Sequence, residues 1–210
     1  MRIASAGTLI AAAVVSGIAL AFTPNPPNNA RLTNDAPGLG GYVSDYTLVT
    51  GKPYTDDVLT ACSQSHGRQN EPAVAVDPRN KDVIVGSSND YCPVLNADGT
   101  FLGLGDIWLG YYRSEDGGFT FKSSLVPGYQ GDTSLYAARA HVRTADSGDP
   151  VLAWDNHGRL FAGSESSTNP EKPTQTFGDV WVATFENPNG ADSATTTDDG
   201  KEFVTSVDVA

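Results

Sequence analysis

The sequence predicts an all-β protein: a β-propeller of four-stranded antiparallel blades, with about two blades present and the ring incomplete. Three observations carry that prediction. First, the chain repeats itself. Glu71-Pro72-Ala73-Val74-Ala75-Val76-Asp77 returns as Asp149-Pro150-Val151-Leu152-Ala153-Trp154-Asp155. Val83-Ile84-Val85-Gly86-Ser87 returns as Leu160-Phe161-Ala162-Gly163-Ser164, and Asp106 to Tyr112 returns as Asp179 to Phe185. The landmarks keep their order at offsets of about 73 to 82 positions, so each copy is one supersecondary unit that buries its faces by stacking on a neighbour. Second, 22 Gly and 13 Pro punctuate short apolar runs, the balance of many strands joined by tight turns. Third, no segment keeps a helical period, although Leu135 to Val142 has room for one or two helical turns.

The elements follow in order. Residues 1–21 have the physics of an export signal: Arg2 supplies the positive start, Thr8 to Ala21 is apolar and small, and Ala19-Leu20-Ala21 is a small-x-small cleavage pattern. The apolar run is short for a bilayer span of about 20 residues; an uncleaved anchor is the alternative. Residues 22–60 form an N-terminal extension. Its first part, Phe22 to Asn34, is too rich in Pro and Asn to build a core, and Tyr42 to Val49 is expected as an isolated strand. The first blade covers 61–148, with strands at about 71–77, 82–88, 106–112 and 119–126. The second covers 149–210, with strands at about 149–154, 159–164, 179–185 and 202–209. Asp77-Pro78-Arg79-Asn80 and Asp155-Asn156-His157-Gly158 are the matching first turns. The last residues fall inside an outer strand, so the expectation is the N-terminal portion of a longer protein. A two-blade protein that closes its ring by oligomerising is the rival.

The formal net charge is −12, with acidic residues scattered through loops. Free nucleic acid is excluded as a partner, because binding it needs a basic stripe. The acidity fits solubility in an extracellular setting. Cys62 and Cys92 are the two cysteines, and a lone pair in an exported chain is expected to form a disulfide. They lack His partners at ligand spacing for a zinc site. No cofactor is implied; a structural calcium held by loop carboxylates is the one ion to consider.

Ser114-Glu115-Asp116-Gly117-Gly118-Phe119-Thr120-Phe121 matches the pattern Ser/Thr-x-Asp-x-Gly-x-Thr-Trp/Phe. It lies between the expected third and fourth strands. A degenerate copy, Thr196-x-Asp198-x-Gly200-x-x-Phe203, lies at the equivalent place with Glu202 where Thr stood. This is the Asp-box, and over residues 62–210 the chain resembles the sialidase-like (BNR, Asp-box repeat) β-propeller superfamily, as a secreted member. The box is structural. Gly118 suits positive φ, Asp116 can accept backbone N–H groups within the turn, Thr120 suits the outgoing strand, and Phe121 packs between sheets. The resemblance places the boxes away from the ligand face.

In a four-stranded meander, turns one-to-two and three-to-four share one end of the sheet. The opposite end is the mouth, where a central ligand would bind. Arg68-Gln69-Asn70-Glu71, Asn89-Asp90-Tyr91, Ser147-Gly148-Asp149 and Glu165-Ser166-Ser167 would build it. Arg68, Glu71, Asp90, Asp149 and Glu165 are the ligand-binding candidates. Each has a plain structural role open to it, and Glu71 and Asp149 recur at one repeat position, as a turn or cap residue would. The resemblance implies an Arg cluster for a substrate carboxylate, a Tyr–Glu nucleophile pair and an Asp acid/base. This chain lacks the Phe/Tyr-Arg-Ile-Pro motif, so its catalytic residues are unassigned. The expectation is a secreted propeller that binds a glycan, glycoconjugate or protein through its mouth, with no membrane contact once the signal is removed. The alternative is an exo-acting glycoside hydrolase of the exo-alpha-sialidase type, whose catalytic residues lie largely beyond residue 210. The oligomeric state is left open.

Overall fold

The computed structural model describes residues 30–96, 98–142, 146–166 and 179–210; the expected export signal lies outside them. Their strands form two four-stranded antiparallel sheets. The first contains β1 (Gln69–Val76), β2 (Ile84–Asp90), β3 (Trp108–Ser114) and β4 (Lys122–Leu125), paired in that order. The second repeats the meander with β5 (Gly148–Trp154), β6 (Leu160–Ser166), β7 (Asp179–Glu186) and β8 (Glu202–Asp208). Both first turns form as Asx turns. Asp77 accepts from the Arg79 N–H at 2.8 Å, and Asp155 accepts from the His157 N–H at 2.8 Å.

The sheets pack on each other through aromatic side chains. Tyr111 stacks on Phe185 with ring centroids 4.6 Å apart, and Trp108 stacks on Trp181 at 5.7 Å. Such pairs contribute about 0.5–1.5 kcal/mol each beyond their buried area. Arg113, buried between the sheets, donates across to the backbone carbonyls of Thr197 and Asp199, both at 2.7 Å. Its charge is therefore matched by fixed dipoles, and Glu115 supplies the counter-charge at 3.0 Å.

The bulge positions fix how the two copies superpose. β1 shifts register between Asn70 and Ala73, and β5 shifts between Gly148 and Val151. Carrying that match along the ladders aligns Asn89 with Glu165, Leu109 with Val180 and Ser123 with Ser206. Two correspondences expected from residue type therefore change. Gly163 takes the place of Ser87, one position from Gly86, and Trp181 takes the place of Gly110, two positions from Trp108. Register follows the ladder hydrogen bonds and turn lengths, whereas matching by residue type is blind to both.

The segment before the first sheet departs furthest from expectation. Tyr42 to Val49 is not a strand. Tyr42 makes one parallel bridge to Ser123, and Asp45–Thr50 then forms helix α1, followed by α2 (Asp57–Cys62). Local capping outweighs β propensity here. Ser44 accepts from the Thr47 N–H, Asp45 sits in the first turn, and Gly51 closes the helix at φ 68°. Asp56 caps α2 through the Leu59 N–H. The segment also contributes to the core: Tyr42, Val58, Leu59 and Cys62 are buried, and Leu32, inside the stretch expected to lack a core, packs against it. Cys62 and Cys92 form the expected disulfide, tying α2 to the end of β2.

Both outer edges are closed alike. The Val43 N–H donates to the Ser123 carbonyl at 2.8 Å, and the His141 N–H donates to the Ser206 carbonyl at 3.2 Å. Ala140, next to His141, makes the parallel bridge to Ser206. It follows the 3-10 turn Ala137–Arg139, which falls in the stretch expected to hold a helical turn. A chain segment beside each last strand hides ladder groups that would otherwise template another strand.

Candidate functional site

The mouth is built from two identical backbone irregularities. Glu71 and Asp149 each precede a proline within the bulge that opens an inner strand, and each has φ 52°. A left-handed backbone at a non-glycine residue costs on the order of 1–2 kcal/mol. Proline further disfavours the right-handed alternative for the residue before it. The same strained carboxylate position therefore appears in both sheets.

Asn89, on β2, joins them. Its side-chain amide donates to the Glu71 carboxylate at 2.7 Å, and its side-chain oxygen accepts from the Asp149 N–H at 2.8 Å. Glu71 titrates above the ordinary carboxylate range. A hydrogen bond with the Asp149 carboxyl is the main cause, opposed by the Asn89 amide and reinforced by the charges of Asp149 and Glu165. Beside Asn89 lies a cavity of about 140 Å³ lined by Ile107, Asp146, Ser147, Gly148, Asp149 and Glu165. Burial and the charge of Asp146 also push the Asp106 carboxyl up.

Across the Asn70–Asn89 ladder pair lies a second, wider depression of about 580 Å³. Gly67, Arg68, Gln69, Asn70, Tyr91 and Leu95 line it. Arg68 is exposed there and makes no ion pair among the described residues. The guanidinium lies against the Gly99 turn.

The five candidates thus divide. Asp149 and Glu165 line one cavity at the expected end of the sheets, Glu71 is tied to it through Asn89, and Arg68 lines the neighbouring depression. Asp90 sits elsewhere. It is fully buried and accepts from the hydroxyls of Tyr42 at 2.6 Å and Tyr112 at 2.7 Å, and from the Cys92 N–H at 3.1 Å. Burial pushes its carboxyl up, and the bonds from Tyr42 and Tyr112 oppose that. Strand alternation explains the separation: adjacent residues of β2 point to opposite faces. Asn89 therefore faces the second sheet while Asp90 faces the N-terminal segment. Sequence reasoning placed the Asn89-Asp90-Tyr91 segment at the mouth but chose the charged Asp90 rather than Asn89 as the ligand candidate. It missed Asp146, which carries no repeat signal. Ser167 lies outside the described residues.

The Asp-box forms at the opposite end and is wired as expected. Ser114 donates to Asp116 at 2.7 Å and accepts from the Gly118 N–H at 2.9 Å. Asp116 accepts from the Thr120 N–H at 2.9 Å and from the Thr120 hydroxyl at 2.6 Å. Burial raises its carboxyl, but the bonds from Thr120 and Ser114 outweigh that and hold it below the usual range. Gly118 has φ 90°, and Phe121 packs against the core. In the degenerate box Gly200 keeps positive φ and Phe203 stays buried, but Asp198 pairs with Lys201 at 2.8 Å. Glu202, where Thr stood, pairs with Arg139 at 2.9 Å.

Among the described residues no group of three or more His, Cys, Asp or Glu is placed to hold a metal ion, and no helix is long and apolar enough to cross a membrane. The disulfide fits an oxidising compartment. The chain matches no protein-family model and no curated protein sequence.

Proposed function

We propose that the two sheets are consecutive blades of a secreted, sialidase-like Asp-box β-propeller that binds a glycan or glycoconjugate at its mouth. The observation that carries the reading is the joining of Glu71 and Asp149, equivalent bulge residues, through Asn89 beside a cavity between the sheets. Carboxylate oxygens and a side-chain amide are the donors and acceptors that pair with sugar hydroxyls. The neighbouring depression adds an exposed guanidinium and a tyrosine, which suit an acidic group and the apolar face of a sugar ring. Exposure supports the blade geometry. Val74 on β1 is 67% exposed, whereas its equivalent Leu152 on β5 packs against the core where the first sheet covers it. Glycan-array screening followed by titration calorimetry tests the ligand. Binding should weaken strongly in Asn89→Ala with the melting temperature little changed. Equal binding by Asn89→Ala would place the ligand elsewhere.

A second reading, an exo-acting glycoside hydrolase, is favoured by one observation. The Asp149 carboxyl beside Glu71 raises the Glu71 carboxyl above its ordinary range, the direction that a general acid at a glycosidic oxygen requires. The test is turnover of a fluorogenic sialoside and then of a panel of glycosides, with Glu71→Gln as the control. Turnover unchanged in Glu71→Gln would remove the assignment.

A further inference from the structure

At the Asp-box end, the interface between the sheets buries two carboxyls against one arginine. Asp77 follows β1, Asp199 lies in the loop between β7 and β8, and both are buried. Oδ1 of Asp77 accepts from the Arg79 N–H at 2.8 Å, and Oδ1 of Asp199 accepts from the Asn187 amide at 2.8 Å. Oδ2 of each is buried with no hydrogen-bond partner of the ordinary kind among the described residues; the two carboxyls face each other, and Arg79 Nε stands 3.4 Å from Asp199 Oδ2. Gly158, in the first turn of the second sheet, closes the cluster. A Cβ there would fall 2.6 Å from the Asp199 carboxyl carbon and 2.8 Å from Arg79 Nη1. The repeat shows that the arrangement belongs to the interface. Asp155, in the place of Asp77 in the second sheet, is only partly buried and has its own cation, Arg159, at 3.6 Å. Asp77 meets a second carboxyl instead. Burial pushes the Asp77 carboxyl up and the Arg79 N–H opposes that, while the charge of Asp199 and a hydrogen bond with it push it up further against the charge of Arg79. The loop that carries Asp199 is held on the first sheet at other points too. Arg79 bonds the Ser193 carbonyl, Arg113 bonds those of Thr197 and Asp199, and the Tyr111 hydroxyl bonds that of Gly200.

We propose that Asp77 and Asp199 form a proton-controlled latch, which docks the β7–β8 loop on the first sheet and loosens it as pH rises. In the closed latch Asp77 is neutral and donates its O–H to the Asp199 carboxylate, whose charge faces Arg79. Loss of that proton leaves two buried anions against one guanidinium, a costly arrangement. The closed latch holds the extra proton. Opening therefore becomes easier as pH rises from about 4, where an aspartate in water titrates, through the raised value of Asp77, and levels off above it. The other charged groups around the loop are paired: Arg113 and Lys201 with Glu115, Lys201 with Asp198, and His157 with Asp192. The latch lies at the far end of the sheets from the mouth, so it stands apart from the ligand reading.

Native-state hydrogen exchange, read by NMR and corrected for intrinsic rates, tests the latch in the native chain and in Asp77→Asn, whose amide can donate where the protonated carboxyl did. The reporter is the Gly200 N–H, bonded to the Gly158 carbonyl at 2.9 Å beside the latch. The reference is the Val126 N–H, bonded to the Leu109 carbonyl at 3.0 Å in the first sheet. In the native chain, protection at Gly200 should fall by up to about tenfold per pH unit across the window, beyond any fall at Val126. That excess should vanish in Asp77→Asn, which leaves the other pairs in place. An equal excess in both proteins, or none in the native chain, would overturn the proposal. Carbon NMR titration of the Asp77 carboxyl in the native chain needs no variant. The expected midpoint lies above the ordinary aspartate value; a midpoint at or below it would also overturn the latch.

Discussion

Asp45 should make this protein less stable as pH rises from about 4 to about 7. The residue opens α1 and is buried against β8. One carboxylate oxygen accepts from the Phe203 N–H at 3.0 Å, and the other, Oδ1, is buried with no hydrogen-bond partner. Burial pushes its carboxyl up to about 7. The Phe203 bond and the charges of Arg113 and Arg139 oppose the shift, and the charge of Glu202 adds to it. Tyr111 and Tyr136 also face it and stay neutral in this range, their hydroxyls being pushed up further. In the unfolded chain an aspartate titrates near 3.9. The folded state therefore holds an extra proton between about pH 4 and pH 7, and stability falls as pH rises through that window and levels off above it. The full span corresponds to about 4 kcal/mol at about 1.4 kcal/mol per pH unit, an upper limit because water entry and local rearrangement relieve part of the cost. The assay is urea denaturation across the window for the native chain and for Asp45→Asn, which keeps the shape and removes the titration. The stability difference between the two should move against the native chain with rising pH. A flat difference would refute the reasoning, because the other raised carboxyls, such as Asp90 and Asp106, are common to both proteins.

Three further outcomes follow from the same geometry. Gly110→Ala should lose about 1–3 kcal/mol in chemical denaturation, because a Cβ there would overlap the Tyr112 ring, whose hydroxyl is pinned by buried Asp90. Reducing the Cys62–Cys92 disulfide opens a loop of 30 positions and should lower stability by about 3–4 kcal/mol in the chain-entropy model, read as a drop in melting temperature with reductant. Asp116→Ala removes the three bonds that brace the Asp-box turn and should cost about 1–2 kcal/mol, with glycan binding at the far end unchanged; lost binding at unchanged stability would move the ligand to the box.

Strand periodicity and turn residues made both four-stranded sheets legible, since those signals are local. The Asp-box was legible because Ser114, Asp116 and Thr120 bond to one another within a single turn. What escaped reading is non-local or depends on parity. The bulges at Glu71 and Asp149 leave no mark that separates them from ordinary strand starts, so the register that moves Trp181 to the place of Gly110 was hidden. Asn89 and Asp90 are adjacent on a strand with both faces buried, so no alternation showed which of them points to the mouth. The capped helices before the first sheet were announced by Ser44, Asp56 and Gly51, but Tyr42, Val43, Tyr46 and Val49 spoke more loudly for a strand.

The closure of the outer edges has a consequence for how the chain comes to rest. Val43 waits for Ser123, and Asp45 waits for Phe203, a partner 158 positions later. This N-terminal segment is thus among the last parts to settle, because its docking partners must be synthesised and paired before it has anywhere to go. Until then β4 stands with an open flank, and a folding chain that stalls at that stage offers that strand to its neighbours.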